Sequence, residues 1–495
     1  MKTFFTFVFI VGFISNVLFS QTISLHQSEF EKYSKYFEKH FRSVNSEKQI
    51  VELQPKESKF SVFGYLPFWE INEIADDYLR FDILTHIALF AFEANDDGTL
   101  TPPYNWPWTD IINEAHGGGV KAIMTVVNFD APTINKFLSD EELAQTLMEN
   151  IYSVINEYKL DGVNIDFEAM YNSDEGEPIN NFMSGLSDYL KSQNENLEIS
   201  FAAPAINWND DWNFDGLAAA CDYIFIMGYD FYGSWSDVTG PVAPLTGGTY
   251  NVNLQRTIYE DYWGVVQTSP EKLILGVPYY GTYWTCESDE ENSDVIEFID
   301  NLKYRTIKNN FFDSQLNWSD EYKTPWLVWE DSTWNQIWFD DDSSLAMKYD
   351  LVLDNNLKGA GMWALGYDDG YAELWETLDE KFGDSNSGVE LVSDDEVELL
   401  LEQNYPNPFG AESSTTVRFG FPNGSRLENG LIVSHITLKL FNSLGEEVAA
   451  LVKGNKLAGL YEITFSMPPN LPSGVYFYSL NSNGVVLTKK MVYLK

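Results

Sequence analysis

The sequence predicts an α/β architecture: a (β/α)8 TIM barrel with a small insertion between its seventh strand and seventh helix, followed by a small C-terminal β-sandwich. Three observations predict it. Between about 58 and 382, eight strand-like apolar runs alternate with helical periods. The connection at 284–342 is far too long for a bare βα loop, so it is expected to be an inserted subdomain walling one side of a cleft. Beyond 402 helical periodicity stops, and short runs alternate apolar and polar residues between turns. A doubly wound open sheet is the other architecture such alternation permits.

The eight runs fall at 60–65, 84–92, 120–127, 162–168, 197–203, 223–229, 272–278 and 359–365. They are nearly continuous in apolar residues, as parallel strands covered on both faces are. Helical periods are clearest at 138–159, 179–193, 252–264 and 343–356. In such a barrel the chemistry belongs at the C-terminal ends of the strands and in the loops after them. Among the turn-separated runs of the C-terminal region are 415–421, 436–441, 461–465 and 474–480, and residues 383–402, rich in Ser, Asp and Gly and then acidic, read as a linker.

Residues 1–20 read as a signal peptide. Lys2 precedes an apolar run from Phe4 to Phe19, which Asn16 interrupts and which is short for a bilayer span, and Ser20 offers a small residue for cleavage. Residues 21–57 form an N-terminal extension with helical periodicity near 27–42 and no assignable function. The barrel is placed at 58–382 and the sandwich at 403–495.

The chain has 30 basic and 75 acidic residues, a net charge of −45. That excludes a binder of nucleic acid, which needs basic patches, and argues against adhesion to anionic lipid. Two cysteines, Cys221 and Cys286, and five histidines exclude a disulfide scaffold and a Cys-based zinc site, and no phosphate-binding glycine motif is present. Cys221 precedes the sixth strand and Cys286 follows the seventh, at opposite ends of strands ~23 Å long; they are expected to remain unpaired.

The fourth run carries the chemistry. Side chains alternate along a strand, so Gly162, Asn164, Asp166 and Glu168 share one face and Val163, Ile165 and Phe167 the other. A polar row therefore points into the barrel and ends in a carboxylate at its mouth. Two carboxylates two residues apart raise the pKa of one of them, which suits Glu168 to hold a proton for a leaving oxygen.

This string resembles the signature of glycoside hydrolase family 18, through Asp161, Gly162, Asn164, Asp166 and Glu168, with Asn164 where most members have Asp. Met227, Tyr229 and Asp230 resemble the family's sixth-strand element, 275–281 its seventh-strand element, and 362–369, with Trp363, its eighth. The third-strand motif of many members is replaced by residues 126–129. The resemblance implies substrate-assisted hydrolysis of β-1,4-linked N-acetylglucosamine polymers, chitin or chitooligosaccharides, with retention. It implies Glu168 as the acid, Asp166 as the group that holds the acetamido N–H, and Tyr229 as the one that orients the acetamido oxygen. Asp230 supports that network and Trp363 forms the floor. Asn164, Tyr65, Trp69 and Trp235 complete the substrate-binding candidates. An amide at 164 removes a like charge beside Asp166 and offers it a donor, so an altered pH profile is expected. No metal or organic cofactor is implied. Action on peptidoglycan or N-glycans, and a non-catalytic chitin-binding lectin, are the alternatives.

Tryptophans 69, 106, 108, 208, 212, 235 and 284 all follow strands, and some of them are expected to line a sugar groove, whereas Trp326, Trp329, Trp334 and Trp338 should form the core of the insertion. The C-terminal segment resembles the sorting domain of the type IX secretion system, through 403–409, 444–448, 471–478 and 489–495. That resemblance implies a secreted or cell-surface protein delivered by the type IX machinery. A monomer is expected.

Overall fold

A computed structural model describes residues 23–383 apart from 41–48, 57, 72–78 and 249–250, and residues 389–495 apart from 394–398, 411–413, 423–425, 429–430, 446, 458, 466, 468–470 and 483–484. The signal-peptide reading lies outside the described residues.

Eight parallel strands form the barrel: β1 (Ser61–Pro67), β2 (His86–Ala94), β3 (Lys121–Asn128), β4 (Gly162–Phe167), β5 (Glu198–Pro204), β6 (Tyr223–Met227), β7 (Leu273–Pro278) and β8 (Gly359–Trp363). Each pairs with the next, β8 pairs with β1, and the β1–β2 pairing closes the ring. The open-sheet alternative is thereby excluded. Every residue of β1, β4, β7 and β8 is buried, which is why these runs are apolar with so little alternation.

The barrel is filled from below by aromatic rings. The Phe225 ring lies 5.3 Å from that of Phe63 and 4.9 Å from that of Tyr65. It has room because β7 and β8 present Gly276 and Gly361 to it; a Cβ on either would stand 2.4 Å from the ring. Burying such a ring contributes about 1.5–3 kcal/mol, and it fixes the height at which Tyr65 enters the site above.

The long seventh connection is an inserted sheet. Strands Tyr280–Cys286, Val295–Lys303, Gln315–Ser319, Thr324–Glu330 and Trp334–Trp338 pair antiparallel, with the first two and the last adjoining. Trp326 and Trp338 stack at 5.1 Å in its core, and Trp334 packs against that core. Trp329 packs on Tyr283 and Phe311 instead. Trp284, placed by the sequence among groove residues, is fully buried in the same cluster as Trp338, because its strand belongs to the insertion.

A pair of sheets shares one core in the C-terminal region, with Val417, Phe419 and Phe421 from one and Ile436, Leu438 and Tyr478 from the other. The stretch read as a linker contributes strands to it. Val389–Ser393 pairs with Gly459–Phe465, and Leu400–Leu401 pairs with Thr415–Phe421. Val389, Glu390 and Leu391 alternate apolar and polar there, a strand signal that the composition obscured. Both cysteines are free and buried.

Helix α1 (Leu25–His40) lies on the barrel through the cluster that contains Leu25, Phe30, Tyr33 and Phe37.

Phe225→Ala is expected to lower unfolding stability by about 3–5 kcal/mol, read from urea titration. Denatured, unreduced protein is expected to titrate as two free thiols per chain.

Candidate active site

β4 builds the site as its alternation requires. Phe167 turns outward between Phe137 and Phe182 of the surrounding helices, with ring separations of 6.0 and 5.9 Å. Asn164 and Asp166 turn inward and are completely buried. Glu168 is the first residue past the strand, and its N–H donates to the carbonyl of Asn128 at 3.1 Å.

Asn164 belongs to the floor rather than to the substrate surface. Its Oδ1 accepts from the Tyr65 hydroxyl at 2.8 Å, and its Nδ2 donates to Ser200 Oγ at 2.9 Å. Both ends of the amide are thus committed below the site, and the donor expected for Asp166 goes to Ser200. Tyr65, also a substrate-binding candidate, is fully buried for the same reason. Asp161, at the start of the string, serves the other end of the barrel, where its Oδ2 accepts from the Ala122 N–H at 2.8 Å and faces His116 at 3.0 Å.

The groups the sequence singled out converge above this floor. Burial, and then the neighbouring Asp166 carboxylate, raise the pKa of Glu168, while hydrogen bonds from His26 and Ser24 oppose the rise. Burial is thus a larger cause than the paired charge that the sequence emphasised. Tyr229 and Asp230 follow β6. Burial holds the Tyr229 phenol well above its usual range. Asp230 takes a left-handed backbone, φ 62°, accepts from the Tyr280 hydroxyl through Oδ1, and is raised in pKa by burial. Trp363 ends β8 and is wholly buried.

A residue from outside the barrel stands among them. The ring of His26 lies 3.7 Å from that of Trp363, nearly parallel to it. Its Nδ1 is 2.9 Å from Asp166 Oδ2 and 3.3 Å from Glu168 Oε1, and its Nε2 is 2.9 Å from the Tyr229 hydroxyl. Burial alone would lower its pKa; the two carboxylates outweigh that and bring it up to about 10. His26 is therefore an imidazolium at neutral pH, with Nδ1–H donating to Asp166 and Nε2–H to the Tyr229 oxygen.

Other residues of α1 join it. The Leu25 N–H donates to Asp230 Oδ2 at 3.1 Å. Glu29 Oε2 accepts from Trp363 Nε1 at 3.0 Å and from the Tyr367 hydroxyl at 2.6 Å, and burial lifts its carboxyl to about 7. Phe30 packs on Phe68, Phe90 and Phe129. Tyr33 stacks on Trp69 at 4.6 Å, so this substrate-binding candidate is covered, with 3% of its surface exposed.

Beside the helix a cavity of about 190 Å³ remains, lined by Glu168, Tyr229, Asp230, Trp208 and Trp235 among others. Trp235, 41% exposed, and Trp208, 67% exposed, are the loop tryptophans that present a free face there. Trp106 packs instead with Phe92, Tyr158 and Trp108, and Trp212 with Phe201 and Phe214. Loop position alone does not separate the two groups.

Sequence reasoning missed His26 and Glu29. Residues 26, 29, 30, 33 and 37 share one helical face, and two ionisable groups on that face were the available signal. Their partners lie far along the chain. His26, Asp166 and Glu168 form the one cluster among the described residues whose ligand atoms, within 4.8 Å of one another, are close enough to hold a metal. Its imidazole nitrogens are already engaged by Asp166 and Tyr229.

Residues 61–368 match the family model described as Glycosyl hydrolases family 18. A putative sporulation-specific glycosylase of Bacillus subtilis is 26% identical over 335 residues, 61% of this chain and 72% of its own length. The di-N-acetylchitobiase of Homo sapiens is 29% identical over 254 residues, 45% of this chain and 64% of its own. Among solved structures, a family 18 N-acetylglucosaminidase from Paenibacillus barengoltzii superposes with a TM-score of 0.57 at 18% identity, over 64% of this chain and 98% of that one.

Asn164→Leu is expected to destabilise the fold by about 1–3 kcal/mol, because it strands the Tyr65 hydroxyl in the barrel interior. Urea titration reads this.

Proposed function

The chain belongs to glycosyl hydrolases family 18 and is a glycoside hydrolase, and we propose that it cleaves β-1,4-linked N-acetylglucosamine polymers with retention, using the substrate's own acetamido group as nucleophile. The observation that carries this reading is the grouping of Glu168, Asp166 and Tyr229 over the Trp363 ring. One carboxyl is biased toward its acid form, a second is held beside it, and a phenol and a flat apolar face complete a mould for one N-acetylated sugar.

In the first step Glu168 gives its proton to the glycosidic oxygen as the bond to the anomeric carbon breaks. The acetamido oxygen forms the new bond to that carbon, giving a flat, positively charged oxazolinium ring. Asp166 accepts the acetamido N–H and balances the charge; Tyr229 holds the oxygen in line. Water then adds to the anomeric carbon and yields its proton to Glu168, which restores both the enzyme and the acetamido group. Two inversions give net retention.

We read residues 403–495 as an export address for the type IX machinery, which would place the enzyme outside the cell. What supports this, beyond the motifs, is that the two ends of the segment meet in one sheet, with Phe409–Gly410 paired to Tyr493–Leu494.

Glu168→Gln is expected to lower kcat on N-acetylchitooligosaccharides by about 10²–10⁴-fold, with products identified by mass. Binding of these sugars without cleavage, both by the unaltered chain and by His26→Ala, would overturn the reading in favour of a lectin; cleavage only of peptidoglycan strands would move the substrate. Asn164→Asp adds a carboxylate near Glu168 and raises its proton affinity further. The alkaline limb of the rate profile, where Glu168 loses its proton, is expected to move to higher pH by about one unit.

A further inference from the structure

We propose that helix α1 is an internal inhibitor, a segment of the chain's own N-terminal region that fills the catalytic cleft in place of the sugar and must leave before substrate is cleaved. The inference rests on the acetamido mechanism above.

The contacts of His26 carry it. In the reaction Asp166 needs an N–H and Trp363 a flat group, and His26 supplies both, at 2.9 and 3.7 Å; its Nε2–H also occupies the Tyr229 oxygen at 2.9 Å, as a donor where the sugar would offer its acetamido oxygen. The likeness extends to charge and shape. The reaction's intermediate is a flat five-membered ring with a delocalised positive charge, and so is an imidazolium. His26 thus meets the state that the site is built to stabilise, not merely the space.

The neighbouring residues close the rest. Leu25 N–H takes one oxygen of Asp230, and Glu29 takes the indole N–H of Trp363. Tyr33 lies on Trp69 as a sugar ring would, at 4.6 Å. Side chains that would stabilise a helix on a protein surface do not need to seek out four catalytic groups. Every contact is non-covalent, so the helix competes with substrate rather than destroying the site.

A tethered segment acts at an effective concentration in the millimolar range. A peptide with modest affinity for the cleft therefore raises KM substantially while leaving kcat nearly unchanged.

The test uses the full chain. His26→Ala is expected to lower KM for chitotriose at least tenfold with kcat within a factor of two, and the double variant Phe30→Ala, Phe37→Ala, which alters no group near the catalytic residues, should do the same. A synthetic peptide of residues 23–40 should inhibit His26→Ala competitively, whereas the same peptide bearing His26→Ala should not. The free peptide is short for a stable helix, so it is titrated into the millimolar range. Unchanged KM in both variants, with no inhibition by the peptide, would overturn the proposal and leave α1 a structural brace. If no form cleaves an N-acetylglucosamine glycan, the functional reading fails and the inhibitor is judged by binding alone. Fluorescence anisotropy of labelled peptide should then show binding to the triple variant, His26→Ala with both Phe→Ala changes, and none to the unaltered chain. Absence of binding to either would overturn it.

Discussion

Two carboxyl groups at the end of one strand, one wholly buried and the other nearly so, are the constraint on which the site turns. Moving a lone carboxylate into a protein interior costs several kcal/mol, and two together cost more than twice as much because each repels the other. The fold meets this in two ways. Glu168 is biased to keep its proton, chiefly by burial. Asp166 faces a cation, the imidazolium of His26, at 2.9 Å. The buried Asp166 carboxylate is thus offset by a positive charge from the same chain.

The rest of the barrel serves the position of those two groups. Phe225, with room made by Gly276 and Gly361, supports Tyr65. Tyr65 and Ser200 clamp the Asn164 amide from either side. Asn164 in turn fixes the strand two residues before Asp166, and Phe167 anchors the intervening turn of the pleat between two helices. Substituting Asn for an acid at 164 removes a third buried carboxyl from a site that already has two. The amide also bridges a hydroxyl donor and a hydroxyl acceptor in one orientation, which a carboxylate cannot do.

How much of this the sequence discloses follows from the range of the interactions. Strand alternation and helix period are local, so eight strands, the insertion and the inward polar row were readable, and the motif string located Glu168, Asp166, Tyr229 and Trp363. The tryptophans were harder. Trp235 and Trp106 occupy equivalent places after strands, yet one is 41% exposed and the other packs against Phe92 and Tyr158. That difference depends on which side chains arrive from elsewhere. The linker composition hid the strand Val389–Ser393, whose partner, Gly459–Phe465, lies far along the chain. His26 was the extreme case: its partner Asp166 is 140 residues distant in sequence. Amphipathic periodicity reported that the segment has a buried face; only tertiary structure reports against what.

The helix divides the mouth of the barrel unevenly, and the division has mechanical meaning. Phe30, Tyr33 and Phe37 cover the side built from Phe68, Trp69, Tyr104 and Phe129, on the loops after β1, β2 and β3. The side after β5 and β6 keeps Trp208 and Trp235 open beside Glu168. Aromatic surface therefore stays open next to Glu168 while the helix is seated. On the proposed reading, a glycan bound there would hold its next sugar ring near His26 at a raised effective concentration. Exchange of one occupant for the other then proceeds stepwise, without an interval in which Asp166 and Glu168 lie empty against each other. On the proposed mechanism, the carboxylate that makes His26 hold fast is the one that takes the acetamido N–H of the sugar replacing it.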